Sequence, residues 1–152
     1  MFRNRIYNTP YMLGNTKGSG GSGPMTISRR NEPFRYDFIP AVPCLIQLCE
    51  IDSSKLESKQ GQAELLDLSP KGCKLDTPLN FRTNQHSCKL ILSFELTQPM
   101  TVRGSILWQE QKAHSLHYGI QFEEEEELQQ IITDELKKYA KKQREEMFFQ
   151  EH

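Results

Sequence analysis

Three arginines, Arg29, Arg30 and Arg35, fall within one short stretch, and Asp67, Ser69 and Gly72 fall within the hexapeptide Asp67-Leu68-Ser69-Pro70-Lys71-Gly72. A guanidinium is a planar fork of donors that suits phosphate oxygens or the O6 and N7 acceptors of guanine, and its flat face can lie on a purine. A carboxylate such as that of Asp67 meets the opposite need, an acceptor for groups that present donors. A serine hydroxyl can donate or accept. Glycine gives backbone freedom and clearance for close approach. Either half alone is a weak signal: an arginine cluster is commonly a solvated basic patch, and Asp-x-Ser-x-x-Gly fits many turns between strands.

The elements that would hold these groups follow from periodicity. Val42 to Ile51 is an apolar run with β-branched residues, Gly61 to Leu68 is a second strand entering the Ser69-Pro70-Lys71-Gly72 turn, and Gly72 to Asp76 is a short third strand closed by Pro78. Cys88, Leu90, Leu92, Phe94 and Leu96 alternate with polar residues, apart from Ile91. Met100, Val102, Gly104, Ile106 and Trp108 share one face of a further strand, which makes Trp108 a core residue. Leu116, Tyr118, Ile120 and Phe122 share one face of the last, and polar Gln109 to Ser115 lies between as a hairpin. Five or six short strands of this kind predict an antiparallel barrel, whose closure leaves no exposed edge.

After Phe122 the period becomes helical: Leu128, Ile131, Ile132, Leu136, Tyr139 and Ala140 form a stripe, uninterrupted by Pro or Gly. The acidic run Glu123 to Glu127 reads as the helix start. Lys137, Lys138, Lys141, Lys142 and Arg144 lie toward its end, a polarity that complements the helix dipole.

With 152 residues the chain has room for one domain with a core plus appendages. Its net charge of -1 hides an asymmetry, because residues 1 to 35 carry six Arg or Lys against the single acid Glu32. The cysteines Cys44, Cys49, Cys73 and Cys88 form no C-x-x-C pair, none sits beside a His at zinc-ligand spacing, and they read as buried free thiols. No metal is expected. Without an apolar span or signal-peptide core, the sequence predicts a cytoplasmic protein that does not insert in a membrane. His86, His114, His117 and His152 stand apart without a partnered nucleophile or carboxylate motif, so no catalytic residue is assigned and no enzyme is expected.

Gly18-Ser19-Gly20-Gly21-Ser22-Gly23 has the composition of an engineered flexible linker, and Pro24-Met25 looks like a junction followed by an initiator methionine; a natural Gly/Ser linker is the other reading. The chain is thus read as a chimera: residues 1–17 a fused peptide, 18–24 the linker, and 25–152 a domain ending in a helix over 123–149. The peptide is rich in interface side chains, with Tyr7, Tyr11, Met12 and Leu13 as anchors of a partner-derived segment and an expression tag as the alternative.

Taken together, the arginine segment, the Asp67-x-Ser69-x-x-Gly72 motif, Gly104-(x)3-Trp108 and the strand Tyr118-Gly119-Ile120-Gln121-Phe122 resemble the PilZ domain family over roughly residues 28 to 125. The resemblance implies a mainly β fold, a small antiparallel six-stranded β-barrel with a C-terminal α-helix, and the ligand cyclic di-GMP. It carries the ligand-binding roles onto Arg30, Arg35, Asp67, Ser69 and Gly72. The family's two arginines are commonly separated by three residues, whereas four, Asn31-Glu32-Pro33-Phe34, separate Arg30 from Arg35 here. The first role therefore stays open between Arg29 and Arg30. The implied function is a cyclic di-GMP receptor that couples to a protein partner; the alternative is a PilZ-fold adaptor that binds its partner without nucleotide. An RNA- or single-strand-binding barrel fits less well, given the specific motif and modest charge, so no DNA or RNA is expected.

Overall fold

A computed structural model describes residues 34–150. Arg29, Arg30, the peptide positions Tyr7, Tyr11, Met12 and Leu13, and the Gly/Ser stretch lie outside the described residues. Contacts divide the chain into Met1–Arg35 and Tyr36–His152. The second unit holds strands β1 (Tyr36–Ile51), β2 (Ser54–Lys55), β3 (Gln60–Ser69), β4 (Gly72–Thr77), β5 (Cys88–Glu95), β6 (Pro99–Gln111) and β7 (Leu116–Phe122), followed by helix α1 (Glu126–Gln150).

Six of the strands pair antiparallel in the order β1-β3-β4-β7-β6-β5, and β5 pairs back onto β1 to close a barrel. β2 is a two-residue extension on the end of β1. Closure rests on the length of β1: Cys44 to Gln47 pair with β3 on one side and with β5 on the other. The alternation in the sequence supplies the core, since Leu65, Leu68, Leu75, Leu90, Leu92 and Tyr118 are fully buried. The buried Tyr118 hydroxyl donates to the Leu79 carbonyl at 2.8 Å and accepts from the Phe81 N–H at 3.0 Å, which ties the loop after β4 to the barrel.

Several expectations are corrected. β1 begins at Tyr36 rather than near Val42, and β6 runs on to Gln111, so the last hairpin is shorter than the polar stretch suggested. Trp108 is not in the core. The register between β6 and β7 shifts between Ile106 and Trp108, leaving Leu107 59% exposed and turning Trp108 to the outer face. The helix starts at Glu126, so only Glu126 and Glu127 of the acidic run lie in its first turn, and its last turn holds no basic residue. The lysines lie mid-helix because the helix extends past them, and dipole pairing applies at the N-terminus alone. Ile131 is 43% exposed, whereas Glu135, outside the apolar stripe, is 1% exposed. Cys44, Cys73 and Cys88 are buried free thiols, but Cys49 is half-buried.

Candidate functional site

The motif Asp67-x-Ser69-x-x-Gly72 is the β3–β4 hairpin. Asp67 lies within the strand, while Ser69 and Gly72 are the register pair that closes the turn. The Ser69 hydroxyl donates to the Gly72 carbonyl at 3.2 Å and accepts from the Lys71 N–H at 3.3 Å, so this side chain shapes the turn from a fully buried position. The Lys71 carbonyl accepts from the Phe122 N–H at 2.9 Å, which binds the turn to β7.

Gly72 is required by packing. A Cβ there would overlap the Ile120 carbonyl oxygen of β7, and its φ is not in the left-handed region. The conformational freedom attributed to this glycine is therefore unused; the clearance is used, and it faces β7.

Asp67 is 5% exposed and is the register partner of Asp37 on β1 and of Lys74 on β4. Lys74 pairs with Gly119 on β7, and Gly119 pairs with Trp108 on β6. Register partners point to the same face of a sheet. Since Cys73 and Leu75 point inward, Asp37, Asp67, Lys74, Gly119 and Trp108 form one row across the outer face of four neighbouring strand pairs. The Trp108 indole covers Gly119, where any Cβ would overlap the ring. At about 4.8 Å per strand, Asp67 and Trp108 stand roughly 14 Å apart.

This row offers carboxylate, ammonium and aromatic groups in line. Sequence reasoning missed Lys74 and misplaced Trp108. The signal for Lys74 was the inward Cys73 and Leu75 on either side of it. The signal for Trp108 was the run Ile106-Leu107-Trp108, three consecutive apolar residues that strict alternation cannot bury together.

Arg35 stands immediately before β1 in the chain and is half-buried. The start of β1 is fixed from within the second unit, where the Tyr36 and Phe38 rings pack at a 45° tilt and both meet Tyr139 of α1 edge-on, with ring centroids 5.2, 5.6 and 5.4 Å apart. Burial, then the nearby Tyr36, pushes the Tyr139 phenol upward. Among the described residues no group of three or more His, Cys, Asp or Glu is placed to hold a metal ion, and no helix is long and apolar enough to cross a membrane.

The sequence matches the PilZ domain family over residues 29–138, which takes in both halves of the motif. No curated protein matches the sequence. Among solved structures, the fold is similar to the PilZ domain with c-di-GMP of YcgR from Escherichia coli, at 12% identity and a TM-score of 0.57, covering 75% of this chain and 94% of that one. It is also similar to the Bacillus subtilis inhibitor of motility MotI/DgrA, at 16% identity and a TM-score of 0.50, covering 77% of this chain and 52% of that one.

Proposed function

The chain belongs to the PilZ domain family, and from that premise we propose that it is a non-catalytic cytoplasmic receptor for cyclic di-GMP that passes occupancy to a protein partner. The observation that carries this reading is the buried Asp67 carboxylate in the outer row, between Asp37 and Lys74, on the hairpin that Ser69 and Gly72 shape. A carboxylate this deep suits the N1 and N2 donors of guanine better than a hydrated phosphate. Arg35, with Arg29 or Arg30, would supply the positive charge: one guanidinium to guanine O6 and N7, another to phosphate or against a purine face. The family resemblance assigns those arginine roles. It is further supported by a YcgR PilZ domain of similar fold having been solved with c-di-GMP.

A route to a partner is available through α1. Arg35 precedes Tyr36 in the chain, and Tyr36 touches Tyr139. A ligand held by the arginines would bias the strand start that this aromatic trio packs against, and with it the helix surface.

The test is calorimetric titration of the full chain with cyclic di-GMP, with linear pGpG and GTP as controls. Binding is expected for the cyclic dinucleotide. Arg35→Ala should weaken it about tenfold or more, since a hydrogen bond to a charged group contributes roughly 1.5–3 kcal/mol. Asp67→Asn, which replaces one acceptor oxygen by a donor, should impair binding while leaving the thermal midpoint in place. Unchanged affinity in Arg35→Ala would sink the receptor reading, and absence of any nucleotide binding would favour the nucleotide-independent adaptor.

A further inference from the structure

Away from the outer row, a cleft of about 750 Å³ opens between β1, β3, β4, β5 and β6. None of its lining residues belongs to the Asp67-x-Ser69-x-x-Gly72 motif, and none is Lys or Arg. Three carboxylates, Glu64, Asp76 and Glu95, share it with apolar Pro43, Leu45 and Pro99.

Two of those carboxylates conflict with the stability of the barrel. Glu64 on β3 and Asp76 on β4 are direct register partners, which puts two negative side chains within about 5 Å of each other, an arrangement that destabilises a sheet. The Asp76 Oδ1 atom is buried and has no hydrogen-bond donor among the described residues. Its ion-pair neighbour, His117 Nε2 at 3.7 Å, offers little compensation at neutral pH, because burial holds the imidazole below its usual 6.5. Leu45, beside them, is 42% exposed. A solvent-facing leucine next to two carboxylates held against each other describes a ligand that is positively charged and apolar over the same short length.

We propose that this cleft docks a linear peptide segment of a partner protein, with an arginine or lysine seated between Glu64 and Asp76 and neighbouring aliphatic side chains resting on Leu45 and Pro43. A guanidinium fork can bridge two carboxylates, and exposed Pro43, the register partner of Glu64, gives apolar surface beside them. The volume exceeds what a single cation needs and lies within the range of small recognition pockets. This docking does not depend on the nucleotide reading, since it uses none of the residues assigned to cyclic di-GMP.

The experiment is fluorescence anisotropy at physiological salt, with the full chain titrated into a fluorescein-labelled peptide of alternating leucine and arginine and, as control, the same peptide with glutamate for arginine. The arginine peptide should bind and the glutamate peptide should not. The double variant Glu64→Gln/Asp76→Asn should weaken binding about tenfold or more, as loss of charge-assisted contacts does. Leu45→Ala should weaken it severalfold. The triple variant Glu123→Gln/Glu124→Gln/Glu125→Gln, with its charges on the segment leading into α1, should leave it within about twofold. Because Glu64→Gln removes a like-charge contact, its urea midpoint should stay or rise, which guards against misfolding as the cause of lost binding. Four results would each overturn the proposal: no binding, equal weakening by the triple variant, displacement by spermidine with Leu45→Ala inert, or self-association of the chain that the double variant abolishes. The last two would make the cleft a small-polycation site or a contact between copies.

Discussion

A single methyl group separates two reasons for a glycine at position 72. The family resemblance gives Gly72 a place beside the ligand, while the barrel gives it a place against β7, where a Cβ would meet the Ile120 carbonyl. Backbone atoms cannot rotate away as a side chain can. Gly72→Ala is therefore expected to lower stability by about 1–3 kcal/mol, the usual cost of overpacking, measured as a shift of the urea midpoint without ligand. If the variant keeps its stability and loses only nucleotide affinity, the clearance serves the ligand instead. Gly119 is the counterpart on the same face, with the soft edge of an indole above it. Gly119→Ala should lift Trp108, the one tryptophan, into water and shift its fluorescence emission to the red. Both glycines could be counted in the sequence, but what each of them faces belongs to strand register and could not.

At the scale of elements, the helix is attached by a residue that its hydrophobic pattern did not mark. The buried Glu135 carboxylate accepts hydrogen bonds from the Thr97 N–H, the Thr97 hydroxyl and, at 3.1 Å, the Gln98 N–H, so it satisfies the turn between β5 and β6. That turn lies between Glu95 and Pro99, two residues that line the acidic cleft. Glu135→Ala should cost on the order of 3 kcal/mol, because three donors lose a charged acceptor, and Glu135→Gln should cost less. The local readout is hydrogen exchange of the Thr97 and Gln98 amides, which should quicken in the alanine variant. Unchanged protection there would show that the turn holds itself. The six long strands were legible because Leu90, Leu92 and Phe94, or Cys73 and Leu75, alternate as a half-buried strand must. The helix was legible from Ile132 and Leu136. What escaped was set by tertiary contacts: the register shift that turns Trp108 outward, and a carboxylate whose partners lie 37 and 38 residues away in the chain. Of the site, Asp67, Ser69 and Gly72 could be read as one motif, but Lys74 joined them only once the hairpin register set it beside Asp67.

For the molecule as a whole, the titrating groups set a pH window for stability. Burial holds His117 below its usual 6.5, so as pH falls past that value the unfolded chain takes up a proton that the folded barrel resists, and stability drops. Asp52 gives a second, more acidic step. The Ser87 N–H and His86 hold its carboxyl below the usual 3.8, so the stability it contributes is present above that value and is lost as pH falls through the lowered one. On the alkaline side the sign reverses. Burial pushes the Cys44 thiol from 9.0 up to about 12 and raises Cys88, Tyr118 and Tyr139, so above about pH 9 the unfolded state releases protons first and gains relative to the fold. The urea midpoint should therefore be level between about pH 7 and 8.5 and decline on both sides. His117→Gln should flatten the decline between pH 7 and 5.5, and Cys44→Ala should flatten part of the alkaline one after correction for its own cavity. A midpoint that rises as pH falls from 7 to 5.5 would contradict the burial of a neutral His117. It would instead make the 3.7 Å contact with Asp76 a charged pair that compensates the carboxylate, and would remove one of the reasons the cleft favours a cation.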